Sequence, residues 1–390
     1  MSPAETPALP ATGDASPIPW AARITVLAGV AILAGITWDI SWHSTIGRDT
    51  FWSPPHLCIH AGGVLGGLVC GWLLLRASFL GTPAERAAAV GFWGLRAPLG
   101  AWITLWGALA MVTSAPFDDW WHNAYGLDVE ILSPPHTILA AGMYAHVWGG
   151  FLLVLGAQNR ATRLGKPAGR GWLVLSAGTL LCLSATMFTE LSLPNLMRTG
   201  TFLVTSSLAY PFLLVAAGRA ARVSWPVTTV SLVYMLLMAA AVWILPLFPG
   251  SPMLGPIYLP LTRMAPPVFP FLMVLPALAI DLLLRYGQPG RRWWRDLLLA
   301  AALGTAFTAI FGLAHWHFGS FLLGPQADNW FFAGNQHWTF YTQPGPWLRE
   351  FWKTTEDPIR TPAILRALAG AALTSYLGLL AGQWMTQVKR

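Results

Sequence analysis

"WDISWHSTIGRDTFWSPPHLCIHAGG", Trp38–Gly63, lies between two long apolar runs and carries Asp39, His43, Asp49, His56 and His60. Residues 117–142, "FDDWWHNAYGLDVEILSPPHTILAAG", say nearly the same thing again. In the first copy Asp39 and His43 are four apart, which puts both on one face of a helix. His56 follows on Ser53-Pro54-Pro55-His56, which reads as a helix start with Ser53 as N-cap and proline in the first turn. The stretch therefore reads as the end of one helix, a turn and the start of the next. Its mouth gathers one carboxylate and two imidazoles. In the second copy Asp118 and His122 keep the spacing of four, and His136 follows on Ser133-Pro134-Pro135-His136 with one residue inserted in the loop. Trp42/Trp121, Gly47/Gly126, Asp49/Asp128 and Ala61-Gly62/Ala141-Gly142 match as well. Such agreement is far beyond coincidence between apolar hairpins.

The flanking runs set the class. Charged residues make up 10% of the 390-residue chain and hydrophobic residues 55%, with mean hydropathy +0.53. A soluble domain carries about 25% charged residues. Many of the 22 tryptophans sit beside apolar runs, as interfacial anchors do. A span needs about 20 mostly apolar residues. Segments 22–43, 56–77, 97–118, 136–158, 171–190, 200–222, 225–247, 266–286, 294–317 and 362–385 qualify. The fold class is all-α: a polytopic integral membrane helical bundle of about ten transmembrane helices. A parallel duplicated helical hairpin fills its first half. The organisation expected is a disordered tail over 1–20, the duplicated metal-binding hairpins over 21–160, and a second transmembrane half over 161–390 with a loop at 318–361. The tail is rich in Ala, Pro, Ser and Thr and has no basic n-region, so the first apolar run reads as a retained span.

Basic residues orient the spans. Arg76, Arg86 and Arg96 fall between spans two and three, Arg160, Arg163, Lys166 and Arg170 between four and five, and Arg219 and Arg222 close span six. Arg285, Arg291, Arg292 and Arg295 fall between eight and nine, and Lys389 and Arg390 come last. The 44–55 loop holds only Arg48, and 119–135 holds no Lys or Arg. The positive-inside rule then predicts cytoplasmic termini and both repeated loops on the outer face. Arg349, Lys353 and Arg360 in the 318–361 loop run against the rule. The net charge of +7 is scattered through short loops and implies no nucleic-acid partner. Cys58, Cys70 and Cys182 form no CxxC and read as small buried hydrophobes.

A carboxylate and two imidazoles form a metal-ligand set suited to copper, zinc or iron, with positions left open for water or substrate. Ionisable groups near a bilayer are costly and usually functional. The candidate metal ligands are Asp39, His43 and His56, then Asp118, His122 and His136. Asp49 and Asp128 are candidates for orienting an imidazole from outside. The plain alternative is a solvated helix end, and the duplicated spacing weighs against it.

At these residues the chain resembles the C subunit of the copper-containing membrane monooxygenases, the superfamily of particulate methane and ammonia monooxygenases. That subunit carries an Asp-x3-His-x12-His triad and a later one with x13 between its histidines. Asp39, His43 and His56 meet the first, and Asp118, His122 and His136 the second. The tryptophan before the first-triad histidine and Arg48-Asp49-Thr50 also look like the family. The resemblance implies copper at both triads. The second triad of methane monooxygenases begins with Asn where this chain has Asp118, which bears on the metal preferred there. The specific match covers residues 35–145, and the chain is longer than a C subunit. "LFPGSPMLGPIYLP", Leu247–Pro260, is similar to a Pro/Gly-rich segment of the A subunit, but the preferred reading is a tight loop between spans seven and eight. No soluble copper domain like that of the B subunit is present in the sequence.

Other ionisable residues carry weaker signals. His315 and His317 in "HWHFG" do not share a helical face, and with His337 they form a weak metal signal. His60 and His146 read as buried, hydrogen-bonded histidines, Glu190 as a solvated cap, and Asp119 and Glu130 as loop charges. No Gly-rich phosphate loop, nucleophile elbow or HExxH occurs. The leading expectation is a copper-binding membrane monooxygenase, or a subunit of one, that oxidises a small apolar substrate with O2. Asp39, His43 and His56 are then the catalytic triad. Partners would be the lipid bilayer, other membrane subunits and a separate electron donor, in a bacterial inner or intracytoplasmic membrane. The alternative is a non-catalytic metal-binding or assembly subunit. Metal transport ranks lower because the 11 methionines form no MxxxM ladder. Haem ranks lower because the repeated histidines sit beside carboxylates at helix ends.

Overall fold

The structure, a computed structural model, describes residues 18–47, 51–87, 89–126, 133–166, 169–253, 261–290, 292–333 and 357–388. Most of the tail, together with Asp49, Asp128, Glu130, His337, the second half of the Leu247–Pro260 segment and part of the 318–361 loop, lies outside the described residues. The helices are α1 (Trp20–Thr45), α2 (Pro54–Leu75), the short α3 (Pro83–Ala87), α4 (Leu99–Tyr125), α5 (Pro134–Arg163) and α6 (Arg170–Met187). They continue as α7 (Gly200–Ala220), α8 (Pro226–Ile244), α9 (Val274–Gly287), α10 (Trp293–Leu322) and α11 (Thr361–Met385). A small antiparallel hairpin, β1 (Val90–Phe92) with β2 (Leu95–Ala97), is the only sheet among the described residues. All the helices but α3 and α9 are long and apolar enough to cross a membrane. The chain is an all-α integral membrane bundle.

Lipid tails are as apolar as leucine, so helices in a bilayer associate through close packing and satisfied polar groups. Both repeated hairpins use the same device. A Cβ on Gly62 of α2 would lie 2.8 Å from the Ala28 carbonyl oxygen of α1, and one on Gly142 of α5 would lie 2.8 Å from the Gly107 carbonyl oxygen of α4. The repeated Ala-Gly thus marks a matched close approach in each hairpin, beside those of Gly35 in the first and of Gly100, Gly107 and Gly149 in the second. The second helix of the first hairpin, α2, packs beside the first helix of the second, α4, and the two run antiparallel. The main apolar cluster continues from Val26 of α1 and Phe151 of α5 through Leu181 of α6 and Tyr210 of α7 to Phe307 and Phe311 of α10, and a smaller one around Ile32, Ile59, Met111 and Met143 joins the two hairpins.

Span eight departs from a simple helix. Only α9 is helical, and its 14 residues are too few to cross. Ahead of it, residues 264–267 and 269–270 are buried but not helical. Pro266, Pro267 and Pro270, three within five residues, remove the amides a helix would use there and leave the segment irregular. Irregular backbone at membrane depth survives only where protein covers it and satisfies it. The Ala265 amide donates to Thr45 Oγ1 (2.8 Å), Thr189 Oγ1 to the Val268 carbonyl (2.6 Å) and the Tyr234 hydroxyl to the Pro270 carbonyl (2.7 Å). The Leu272 amide donates to His315 Nε2 (3.2 Å).

Helix ends are tied from a distance in the same way. Buried Asp281 of α9 accepts from the Val227 (3.1 Å) and Thr228 (2.8 Å) amides, which open α8. Asp357 accepts from the Thr201 amide and hydroxyl, both at 2.7 Å, and so caps α7. Asn159 of α5 donates to the Met385 and Val388 carbonyls, both at 2.8 Å, at the end of α11.

Candidate metal centre

Four helix ends meet at the mouths of the two hairpins. Helix α1 gives way at Gly47 (φ 99°), whose amide donates to the Trp42 carbonyl at 3.2 Å. Helix α4 ends at Gly126 (φ 96°), whose amide donates to the His122 carbonyl at 2.9 Å. Glycine takes this left-handed region without the Cβ penalty, which accounts for the matched pair. Helices α2 and α5 both start on their Pro-Pro pairs, with Ser53 and Ser133 extended in the N-cap position. The expected side-chain cap forms only in the second copy, where Ser133 Oγ accepts from the His136 amide at 3.4 Å. Ser53 Oγ is buried and makes no such bond.

Each triad then converges on a single oxygen. Asp39 Oδ1 lies 3.2 Å from His56 Nε2 and 3.8 Å from His43 Nε2. Asp118 Oδ1 lies 3.2 Å from His136 Nε2 and 3.4 Å from His122 Nε2. In each group the three donor atoms all fall within 4.8 Å of one another. A first-row ion held at about 2.0–2.2 Å from each ligand sets its donors about 3–4 Å apart, and the four carboxylate–imidazole distances of 3.2–3.8 Å match that spacing. The side chains are half-buried, from 13% exposed at Asp39 to 34% at His43.

Proton positions argue the same way. His56 Nδ1 lies 3.3 Å from the Phe51 carbonyl oxygen, and His122 Nδ1 lies 3.2 Å from the Gly126 carbonyl oxygen. A carbonyl only accepts, so the ring proton of a neutral imidazole belongs on Nδ1. Nε2 is then a lone pair that faces a carboxylate oxygen. Two lone pairs at this separation require a cation between them or a second proton on the ring. Asp39 Oδ1 and Asp118 Oδ1 are also shut from solvent, and among the described residues each faces only the imidazole nitrogens, Asp118 Oδ1 with His136 Nε2 at 3.2 Å as its one near hydrogen-bond partner. Buried acceptors without donors are rare. A metal ion would satisfy the carboxylate and the imidazole together, and the backbone carbonyl would orient the ring from behind. The residues present fit such an ion.

The structure sorts the other candidates. His315 is fully buried and satisfied at both nitrogens, by the Leu272 amide and the Phe311 carbonyl (3.0 Å). His317 is exposed on another side of α10. The pair forms no metal site. His146 is fully buried with neither ring nitrogen hydrogen-bonded, so the reading of a hydrogen-bonded histidine does not hold for it. Its Nε2 fills the place where a side chain on Gly66 would sit. Glu190 opens a short 3-10 turn beyond α6, and Asp119 is exposed and accepts from Asn123. Cys70 and Cys182 are buried, Cys58 is half-buried, and all three are free thiols. The carbonyls of Phe51 and Gly126 escaped sequence reading, because a backbone acceptor has no residue signature. Compared with protein-family profiles, curated proteins and solved structures, the chain has no significant match in any of the three.

Proposed function

We propose that this membrane protein binds copper at both triads and acts as a monooxygenase, or as the metal-holding subunit of one, on a small apolar substrate. The observation that carries the reading is the duplicated constellation: one carboxylate oxygen facing two imidazole Nε2 atoms, twice, at matching helix ends. The resemblance of Asp39, His43, His56, Asp118, His122 and His136 to the copper triads of membrane monooxygenases selects copper from the metals such a set accepts. Copper so held supplies one-electron redox chemistry and a place for O2. The chain's own residues do the rest. Asp39 and Asp118 offset the ion's charge, His43, His56, His122 and His136 bind it, and the Phe51 and Gly126 carbonyls fix two of the rings. The basic connections at 76–98 and 160–170 lie at the opposite ends of these helices, which supports placing the triads on the outer face. The electron donor is a separate chain or a quinol.

A non-catalytic role as metal-binding or assembly subunit is the second reading. What favours it is the exposure of His43 (34%) and His136 (30%), which leaves the ligands within reach of water and of a partner chain.

Metal analysis and electron paramagnetic resonance on the detergent-purified chain test the proposal. The expected result is two coppers per chain, with one lost in Asp39→Ala or His43→Ala and the other in Asp118→Ala. Full occupancy in the His43→Ala/His56→Ala variant, or haem absorbance, would overturn it. Oxidation of substrate with a supplied quinol then separates enzyme from subunit.

A further inference from the structure

His60 belongs to neither triad, yet it sits between them. It lies one turn below His56 on the same face of α2. The Phe51 ring packs against both, with centroids 6.4 Å from His56 and 5.5 Å from His60. The register of α2 on α4 fixes its height. A Cβ on Gly67 would lie 2.8 Å from Ala108 Cβ, and one on Gly63 would lie 2.9 Å from Met111 Cε. Continued toward the mouth, this antiparallel pairing sets His60 level with Ser114 and His56 level with Asp118. The charges of His56 and Asp118 both act on His60, and those of His56 and Asp118 act on each other. The two triads are therefore neighbours across the α2–α4 seam, with the His60 imidazole below the gap. The ring is half-buried, and no hydrogen bond from a described residue reaches it. A histidine in a satisfied structural role looks like His315, with a partner on each nitrogen. His60 has its ring packed and its nitrogens unused.

We propose that His60 is a shared ligand: its imidazole joins an ion held by Asp39, His43 and His56 or one held by Asp118, His122 and His136, serving whichever triad needs a fourth donor. This rests on the triads binding metal. An imidazole added to two imidazoles and a carboxylate completes a four-ligand set, which suits tight holding, and its withdrawal opens a position. Gly63 and Gly67 serve the arrangement by letting α4 come close enough to present Asp118 beside His56.

The test uses the full-length chain in detergent with copper(II) as probe. Wild-type binding is measured first, and a chain that binds no copper overturns both the triad reading and this one. Two single-centre backgrounds follow, His43→Ala with only the second triad and His122→Ala with only the first. Within each, His60→Gln keeps a polar side chain of similar size, and His60→Leu checks packing. Electron spin-echo spectroscopy counts coupled imidazoles, and competition with a chelator gives affinity. In at least one background the count falls from three to two and affinity drops by tenfold or more, since a lost ligand costs at least the 10–100-fold of a lost outer partner. Unchanged imidazole count and affinity in both backgrounds, with the wild type binding copper, overturn the role of His60 alone.

Discussion

His56 has an acceptor on each side of its ring, the Phe51 carbonyl behind and the Asp39 carboxylate in front. His122 stands the same way between Gly126 and Asp118. His315 shows what a histidine does when its task is structural. Its Nδ1 meets the Phe311 carbonyl, its Nε2 takes the Leu272 amide, and it bridges a donor and an acceptor. A neutral ring satisfies both partners there, and no cation is called for. The contrast makes a prediction at this scale. His315→Leu leaves the partly buried Leu272 amide without an acceptor, and a buried unsatisfied group costs about 1–3 kcal/mol. The variant should melt measurably below wild type in detergent while copper content stays at the wild-type level. Loss of copper with unchanged stability would place His315 in the metal centre instead.

At the scale of elements, the hairpins and their triads were legible because their signals are local. A spacing of four puts Asp39 with His43, and Ser-Pro-Pro starts a helix wherever it falls. Span eight was not legible as it stands. Hydropathy counts Val268, Phe269 and Phe271 as membrane material and ignores the amides that Pro266, Pro267 and Pro270 remove. The helix caps were hidden for another reason, since their partners are remote. Asp281 lies 53–54 residues from the amides it caps, Asp357 156 residues from Thr201, and Asn159 226 from Met385. No window along the chain contains both partners. The Asp357 cap has a definite pH signature. Hydrogen bonds from the Thr201 side chain and amide hold this exposed carboxyl below its ordinary value. A depressed folded-state value means the cap contributes fully above about pH 4, where the unfolded carboxyl ionises, and is lost as pH falls through the folded value. Amide exchange at Thr201 should therefore accelerate in the acid range, while Asp357→Asn should show faster exchange already at neutral pH. Equal exchange in the two chains at neutral pH would remove Asp357 as the cap.

At the scale of the whole molecule, each triad joins two helices that otherwise meet at an open mouth. Asp39 and His43 come from α1 and His56 from α2, while Asp118 and His122 come from α4 and His136 from α5. Lipid offers these hairpins no hydrophobic force to close them, and their packing rests on close approaches such as Gly62 and Gly142. An ion bound across each mouth adds a tie that the unfolded chain lacks. A ligand that binds only the folded state stabilises it by about 2.7 kcal/mol at a hundredfold excess over its Kd. Two such ions at two sites should add roughly in proportion, unless the sites communicate. Copper should thus raise the melting temperature of the detergent-solubilised chain by several degrees. His43→Ala and His122→Ala should each keep part of the rise, and the double variant should keep none. If the neighbouring triads share His60, the two single variants together keep more than the full wild-type rise, because in each of them that ring is left wholly to the remaining triad. An equal rise in wild type and the double variant would place the stabilising copper elsewhere. A rise in neither would mean that the mouths do not close on metal.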